Sequence, residues 1–428
     1  MGVSTLVMLT FGAVALAGMP LAFALGIAAL VGLLMSGVDF GVLPTRMMNA
    51  VNSFPLMSIP LFMIAGELMI KGGIMEQMIS FANALIGRVR GGLAQVAVLA
   101  GSILSLVSGT AVSDAAALSS TIGPALRKVY GLGFATAVVA AAANLGPIIP
   151  PSAAMIVYAY MAGSSVSIGA LFVAAIVPGV IMTCIYLVVV WWIARRRNYP
   201  MTGEPFTVRR LAHATRTSGI TLLMPVLVVG GIIGGAFTAT EGAAIAVSLA
   251  LLIGFLVTRR LKVSDLPGVL FRAALMSGVV AAMIAFASTV TFLLTVDLLP
   301  QRLADALGAL TADPLVFMLL VAVLLVVVGM FLESNAAYIM LVPLLHPIAL
   351  TYGIDATHFA FTFVLNLVIG MLTPPVGVVL FVIAGMTGIR MGELVRHCLP
   401  FILAQYALLV TCILFPPVVT WLPRAVGY

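Results

Sequence analysis

Nine residues in the first half of the chain, Asn144 to Ser152 (Asn-Leu-Gly-Pro-Ile-Ile-Pro-Pro-Ser), place polar groups and prolines inside a long apolar run. Pro147, Pro150 and Pro151 lack an N–H, so carbonyl groups one turn earlier lose their helical hydrogen bonds. Freed carbonyl oxygens and small polar side chains are the ligands that suit a hard cation. In a membrane, such a break must be buried in protein or line a watery cavity. The alternative is a plain proline kink.

A second copy of this pattern of polar residues and prolines runs from Asn366 to Pro375 (Asn-Leu-Val-Ile-Gly-Met-Leu-Thr-Pro-Pro). The repetition favours two functional breaks over two unrelated kinks. A short polar turn also precedes each break. The candidate sodium ligands are the neutral oxygens of these four segments: Ser108, Gly109, Thr110, Asn144, Gly146 and Pro147 in the first half, and Ser334, Asn335, Gly370, Met371 and Thr373 in the second. For any single Ser or Thr, a small-residue helix contact is the alternative.

The polar turns also predict a place for an anion. The start of a helix after each turn offers free N–H groups and the positive end of the helix dipole. We therefore expect a small organic anion to lie between the two turns. Its candidate contacts are Ser108, Thr110, Asn335, Pro150 and Pro374.

Two acids flank the polar turns, and acids inside a membrane are functional candidates. Asp114 follows the first turn. It either caps the next helix by accepting backbone N–H bonds or takes part in ion coupling. Glu333 precedes the second turn and either couples or gates transport, or stabilises its hairpin by a hydrogen bond. Glu241 is most simply a first-turn acid favoured by the helix dipole.

The composition sets the class of protein. Of 428 residues, 63% are hydrophobic and 8% are charged, which indicates a polytopic membrane protein. The net charge of +7 comes from basic residues in short loops, a topology signal that does not imply nucleic-acid binding. The sequence lacks clustered nucleophile or metal-ligand motifs and a P-loop, so we expect neither an enzyme nor an ATP-driven pump, and no cofactor besides coupling sodium ions.

The elements that position these residues fall into two halves. Residues 3–36 form either one kinked helix or two short helices joined at Gly18-Met19-Pro20. Residues 93–126 are short for two full spans and have basic residues at both ends, which favours a re-entrant hairpin over two ordinary spans. The remaining predicted elements of the first half are a span over 53–69, a broken helix at about 134–162 and a span over 168–194. Those of the second half are spans over 217–236, 241–257 and 271–295, a second hairpin at about 315–350, a second broken helix at about 358–388, and a last span over 399–422.

The two-helix reading of residues 3–36 makes the halves symmetric. Each half then holds five spans and one hairpin, and an odd number of crossings inverts the second copy. The predicted first repeat covers residues 1–194 and the second covers 217–428, joined by an arginine-rich cytoplasmic linker at 195–216. The fold class is thus an all-α polytopic membrane protein, an inverted-repeat secondary transporter with about ten transmembrane helices and two re-entrant hairpins. Both termini are expected on the periplasmic side.

Four motifs resemble the large membrane subunit of tripartite ATP-independent periplasmic (TRAP) transporters, the DctM-like family. They are residues 108–115 (Ser-Gly-Thr-Ala-Val-Ser-Asp-Ala), 146–152, 235–241 (Gly-Ala-Phe-Thr-Ala-Thr-Glu) and 373–377 (Thr-Pro-Pro-Val-Gly). The resemblance implies sodium coupling, an elevator mechanism, a bacterial inner-membrane location, a small four-helix membrane subunit and a periplasmic substrate-binding protein. We expect the small subunit to be a separate chain.

Two functions follow from these observations. The first is sodium-coupled uptake of a small organic anion, such as a C4-dicarboxylate, a sialic or sugar acid or a keto acid, delivered by a periplasmic binding protein. The second is a stand-alone elevator carrier of the same broad architecture, driven by protons or sodium without a binding protein. Uptake that requires both sodium and a binding protein would support the first function over the second.

Overall fold

A computed structural model of the chain describes residues 2–86, 88–202, 205–332, 334–374 and 377–428. Glu333 lies outside the described residues. The described residues of the first half form eleven helices: α1 (Val3–Leu16), α2 (Leu21–Ser36), α3 (Val42–Val51), α4 (Ser58–Lys71), α5 (Ile74–Ile86), α6 (Gly92–Ser108), α7 (Ala111–Thr121), α8 (Gly123–Tyr130), α9 (Leu132–Ala143), α10 (Ala153–Ala162) and α11 (Ile168–Arg196). The predicted all-α class is confirmed.

The second half of the described chain continues with ten helices. They are α12 (Val208–Ile233), α13 (Ala239–Leu252), α14 (Leu266–Val296), α15 (Leu299–Leu310), α16 (Pro314–Phe331), α17 (Ser334–Thr351), α18 (Ala356–Gly370), α19 (Val378–Thr387), α20 (Met391–Leu414) and α21 (Pro417–Val426). Short turns of 3-10 helix precede α4 (Phe54–Met57), follow α10 (Gly163–Ser165) and precede α14 (Val263–Asp265), and a π-helical turn extends α13 (Ile253–Val257).

Eight helices of the described chain are long and apolar enough to cross a membrane. They are Phe54–Lys71, Ile168–Arg196, Val208–Ile233, Ala239–Val257, Val263–Val296, Pro314–Phe331, Ser334–Thr351 and Met391–Leu414. Other apolar helices, such as Leu21–Ser36, have 10–17 residues and are shorter than the 18 residues of the shortest of these eight. The polytopic character is therefore confirmed, whereas the count of about ten transmembrane helices and the inverted orientation of the halves stay predictions.

The N-terminal run forms two helices, as the second of the two readings predicted. The chain reverses between α1 and α2 through Gly18, whose φ of +87° suits glycine. The two helices then pack closely. A Cβ placed on Gly32 of α2 would lie 2.5 Å from a methyl group of Val7 on α1. This contact explains why the pair needs a small residue at that crossing.

Three local features differ from the sequence prediction. Helix α12 begins at Val208 rather than at Thr217, because the Thr207 hydroxyl accepts the Arg210 N–H at 3.3 Å and starts the helix within the predicted linker. The last span ends at Leu414, and a separate helix α21 begins at Pro417, directly after Pro416. Two-residue strands, β1 (Val89–Arg90) and β2 (Met201–Thr202), pair antiparallel and tie the start of α6 to the linker.

Helices α9 and α18 form the centre of the molecule. Every residue from Gly133 to Ala143 is buried, and so is every residue from His358 to Gly370. A helix that is apolar and buried on all sides needs neighbours all round it. Each of these helices stops at one of the predicted breaks, so the breaks lie inside protein. Large apolar side chains that remain exposed lie mostly on outer helices, for example Phe271 and Val323.

Candidate functional site

The first polar turn touches the first break directly. Gly109, between α6 and α7, has a φ of +63°, and a Cβ there would lie 2.7 Å from the carbonyl oxygen of Pro151. The Ala153 N–H at the start of α10 donates to the Gly109 carbonyl at 3.4 Å. Glycine at this turn thus serves both a left-handed conformation and a close approach of two backbones. The turn and the break, predicted to face each other, are in contact.

Asp114 lies inside this contact. Its carboxylate is fully buried, and a Cβ placed on Gly146 would lie 2.6 Å from its Oδ2 and 3.1 Å from the Thr110 carbonyl oxygen. The Ser105 hydroxyl on α6 is 3.4 Å from the same Oδ2. Helix α7 begins at Ala111, and the side chain of the preceding Thr110 makes no capping hydrogen bond. Asp114 Oδ2 therefore faces α6 and the first break.

Around the first break, two polar side chains hold the irregular backbone. The Ser152 hydroxyl donates to the Pro147 carbonyl at 2.8 Å and accepts the Met155 N–H at 3.4 Å, which starts α10. Asn144, at the end of α9, donates from Nδ2 to the carbonyl of Val368 on α18 at 3.0 Å. The two broken helices are thereby joined across the two halves of the chain.

The second break lies against the hairpin formed by α16 and α17. Gly370 crosses Gly329 of α16 so closely that a Cβ on Gly370 would lie 2.6 Å from the Gly329 backbone. The Met371 carbonyl accepts the Val379 N–H at 3.2 Å. Thr373 donates to the Ile369 carbonyl at 2.9 Å and lies 3.3 Å from the Tyr406 hydroxyl.

A cavity of about 660 Å³ lies between the two hairpins on one side and helices α4 and α14 on the other. Both polar turns and both breaks reach its wall. Seven predicted site residues line it: Ser108, Gly109, Thr110, Pro147, Ser334, Asn335 and Met371. The other predicted ligands, Asn144, Gly146, Gly370 and Thr373, do not line the cavity, and neither do the predicted substrate contacts Pro150 and Pro374. Residues more than 200 positions apart in the sequence thus meet at one space.

Several buried oxygens in or near the cavity wall have no hydrogen-bond partner among the described residues. They are Asp114 Oδ1, Asn144 Oδ1, Asn366 Oδ1 and Ser334 Oγ. Leaving a buried acceptor unpaired costs about 1–3 kcal/mol. Oxygens in this situation fit a hard cation such as sodium, which accepts several oxygen ligands with little formal charge. Asn366 was not among the predicted ligands, although the repeat aligns it with Asn144.

The cavity wall also contains three charged residues on the outer helices. Arg272 of α14 donates from Nε to Glu67 Oε2 of α4 at 2.7 Å, and Lys71 lies one turn after Glu67. Sequence analysis assigned no function to Arg272 or Lys71. A charge near the end of an apolar segment usually marks the membrane interface, and no local pattern distinguishes that case from a cavity wall.

A second polar link joins the two halves near the other end of α10. The Tyr158 hydroxyl of α10 is 2.9 Å from Nδ1 of His346, and the Ser165 hydroxyl is 2.9 Å from Nε2 of the same ring. His346 belongs to α17, the second arm of the second hairpin. Together with the Asn144 contact, this link fastens the first broken helix to the hairpin and broken helix of the second half.

Comparisons with known proteins agree on one family. The family model described as "Tripartite ATP-independent periplasmic transporter, DctM component" matches residues 7–418. The chain is 35% identical over 400 residues to the C4-dicarboxylate TRAP transporter large permease protein DctM of Pseudomonas aeruginosa, covering 93% of each protein. It is 34% identical over 417 residues to the sialic acid TRAP transporter large permease protein SiaM of Vibrio cholerae, covering 96% of each.

Among solved structures, the crystal structure of the YdaH transporter of Alcanivorax borkumensis has a similar fold. The superposition gives a TM-score of 0.65 and covers 98% of this chain and 99% of the other, at 17% sequence identity. At 17% identity the similarity indicates a shared fold and nothing about function.

Proposed function

This chain belongs to the DctM component family of tripartite ATP-independent periplasmic transporters, and on that premise we propose that it is the membrane permease of a sodium-coupled importer of a small organic anion. The family membership makes it a multi-pass membrane transporter subunit. The coupling ion, the class of substrate and the mechanism are the parts that we propose.

One observation carries the proposal: the polar turns and breaks of both halves converge on a single cavity of about 660 Å³. Ligand sites are concave and combine apolar walls with a few placed polar groups. Here the polar groups are backbone and hydroxyl or amide groups of the turns, such as Ser108, Thr110 and Asn335. A space of this size suits a small organic acid.

Sodium coupling is supported by the oxygens in or near the cavity wall. Asp114 Oδ1 and Asn144 Oδ1 are acceptors without partners among the described residues, and Gly146 lies against both the Asp114 carboxylate and the Thr110 carbonyl of the first turn. In the second half, Ser334 Oγ and Asn366 Oδ1 are in the same situation. We propose one sodium site at each break, with Asp114 supplying negative charge to the first. Ion binding would then fix each turn against its break and shape the anion site between them.

An elevator motion is supported by the way the parts are joined. The hydrogen bonds of Asn144 and His346 connect the two broken helices and the second hairpin into one block. In contrast, α4 meets the first turn through Gly66, where an added Cβ would lie 3.5 Å from the Ser108 Cα, an ordinary van der Waals contact. We propose that the block of hairpins and broken helices moves along α4 and α14 while these stay fixed.

The proposed partners follow from the family. A small four-helix membrane subunit, encoded as a separate chain, and a periplasmic substrate-binding protein complete the transporter in the bacterial inner membrane. Relatives are named for C4-dicarboxylates and sialic acid, and we propose a substrate from the same broad class of carboxylates.

Reconstitution tests this proposal. The chain, its small subunit and its binding protein are placed in proteoliposomes, and uptake of labelled succinate and of labelled sialic acid is measured under sodium and proton gradients. We expect uptake of one of these acids to require both the sodium gradient and the binding protein. Uptake driven by a proton gradient alone, or without any binding protein, would support the stand-alone carrier instead.

A further inference from the structure

The ion pair of Arg272 and Glu67 lies on the cavity wall opposite the hairpins. Helix α14 carries Arg272 near its first turns, and α4 carries Glu67 one turn before its end, so the two helices run past each other with these side chains facing. Both side chains line the cavity, and they remain 45% and 24% exposed. The pair is therefore accessible from the space through which a transported anion would pass.

The pair is also next to the first polar turn. Gly66, the neighbour of Glu67, contacts Ser108 of that turn. An anion that leaves the turns toward the end of the cavity with Lys71 thus meets Arg272 within the same space. The lining residues of the described chain include two cations, Arg272 and Lys71, and one anion, Glu67. This side of the cavity is therefore net positive.

A purely structural role explains this pair poorly. Ion pairs that remain exposed to this degree typically contribute only about 0–1 kcal/mol to stability. Charges inside an apolar helix are costly to insert into a membrane. Two apolar side chains would join α4 and α14 at lower cost, so the charges call for a functional explanation.

Arginine is suited to hold a carboxylate. Its planar guanidinium offers parallel N–H donors that match two carboxylate oxygens, whereas lysine presents a point charge. Glu67 occupies this guanidinium with a carboxylate of the chain itself at 2.7 Å. The carboxylate of an acid in the cavity can replace the Glu67 carboxylate at the same N–H donors, because both present the same two acceptor oxygens.

We propose that Arg272 is a second carboxylate-binding group of the transport path, and that Glu67 is its built-in competitor. The substrate carboxylate displaces Glu67 from Arg272 as it leaves the turns, and Glu67 returns to Arg272 as the acid departs. By competing for Arg272, Glu67 keeps the affinity of Arg272 for the substrate carboxylate low enough for the substrate to be released. This inference rests on the proposed function for the direction in which the substrate moves. Binding of the carboxylate to Arg272 does not itself require an ion gradient or a partner protein.

A protection experiment tests this binding event. Met276, one turn after Arg272, also lines the cavity, so Met276→Cys provides a reporter there. Cys184→Ala removes the exposed native cysteine, since Cys398 and Cys412 are buried. The rate at which neutral methyl methanethiosulfonate modifies the reporter is measured in membranes against a succinate titration at constant ionic strength. Succinate bound at Arg272 should slow the modification.

We expect three results. Glu67→Gln removes the competitor and should lower the half-protecting succinate concentration about fivefold, the size expected for losing an exposed ion pair. Arg272→Gln should abolish protection. Glu76→Gln, which breaks the Arg260–Glu76 pair of 3.0 Å that does not line the cavity, is the matched control and should leave protection unchanged.

Other outcomes overturn the proposal. If succinate does not protect the parent protein, or if Arg272→Gln is protected like the parent, Arg272 does not bind carboxylates in this cavity. If Glu67→Gln and Arg272→Gln weaken protection equally, the pair acts as a structural tie. Failure of sodium-dependent uptake with intact protection would remove the proposed coupling and leave this site standing.

Discussion

The Nδ2 of Asn144 donates to the carbonyl oxygen of Val368 at 3.0 Å, although 224 positions separate the two residues in the sequence. Asn144 ends the helix before the first break, and Val368 lies two residues before the end of the helix that leads into the second. Both residues are fully buried. The two breaks are therefore held at a fixed distance by one side chain.

Replacement of Asn144 by alanine should destabilise the protein. The Val368 carbonyl would keep the Met371 N–H at 3.1 Å but lose the hydrogen bond from Asn144, and a typical hydrogen bond contributes about 0.5–1.5 kcal/mol. Thermal unfolding of the detergent-solubilised protein measures the loss. The exposed Asn52→Ala is the matched control and should unfold like the parent. Equal unfolding temperatures for Asn144→Ala and the parent would mean that other contacts hold the breaks together.

Gly370→Ala should be costly because its Cβ would overlap the Gly329 backbone of α16. Backbone cannot move aside as a side chain does, and overpacking of this kind costs about 1–3 kcal/mol. Gly385→Ala is the control, because an added Cβ there meets nothing within 4 Å; it should be neutral or stabilise by up to ~1 kcal/mol. Gly370→Ala should lower the unfolding temperature, whereas Gly385→Ala should leave it unchanged or raise it. A tolerated Gly370→Ala would show that α16 and α18 can separate.

The double variant Ser334→Ala and Thr373→Ala tests the proposed second sodium site. Loss of two hydroxyl oxygens near the break should raise the sodium concentration for half-maximal uptake about tenfold, or ~1.4 kcal/mol. Ser288→Ala with Thr295→Ala is the control, since both hydroxyls donate to carbonyls of α14 away from the cavity. Unchanged sodium dependence in the Ser334 and Thr373 variant would remove both residues from the site.

Asp297 should make the N-terminal helix sensitive to acid. The Ser4 hydroxyl and the Ser4 N–H donate to Asp297 Oδ2, and Arg302 lies 3.6 Å from Oδ1. The Ser4 hydrogen bonds, with a smaller effect of Arg302, hold the pKa of the Asp297 carboxyl below its ordinary value. The stabilisation is therefore present above the ordinary aspartate pKa of about 3.9 and is lost as the pH falls through the lowered value.

Asp297→Asn should flatten this acid dependence, which is measured as proteolytic release of the first helix at decreasing pH. Ser4→Ala should have the same effect, because it removes the largest cause of the pKa shift. Thr45→Ala, whose exposed hydroxyl donates only to the Gly41 carbonyl, is the control. If Asp297→Asn retains the parent's acid dependence, another group is responsible for it.

The sequence predicted the interrupted helices well because the signal there is local. Each proline removes a backbone N–H donor at a known position in the helix. Because the pattern of Asn144 to Ser152 recurs at Asn366 to Pro375, two unrelated kinks were a poorer explanation. The structure accordingly ends α9 at Ala143 and α18 at Gly370. Residues 3–36 were predicted as two helices because that reading makes the two halves symmetric, and the structure accordingly ends α1 at Leu16 and starts α2 at Leu21.

The remaining features depend on pairing between distant segments. The pair of Glu67 and Arg272 joins positions 205 residues apart, and each residue alone resembles an interface charge. The two-residue strands carry no periodicity that could indicate them. Helix α12 begins early because the cap at Thr207 outweighs the polar composition that predicted a linker.

The bond between Asn144 and Val368 also governs how the protein is made. A ribosome extends a chain by about 5–20 residues per second, so roughly 10 to 45 seconds pass between synthesis of the two partners. During that time the membrane holds a half-finished chain whose central asparagine lacks its acceptor, and Tyr158 likewise awaits His346. The first half is therefore an incomplete folding unit, and nascent chains arrested before residue 346 should be better substrates for membrane quality-control proteases than the finished protein.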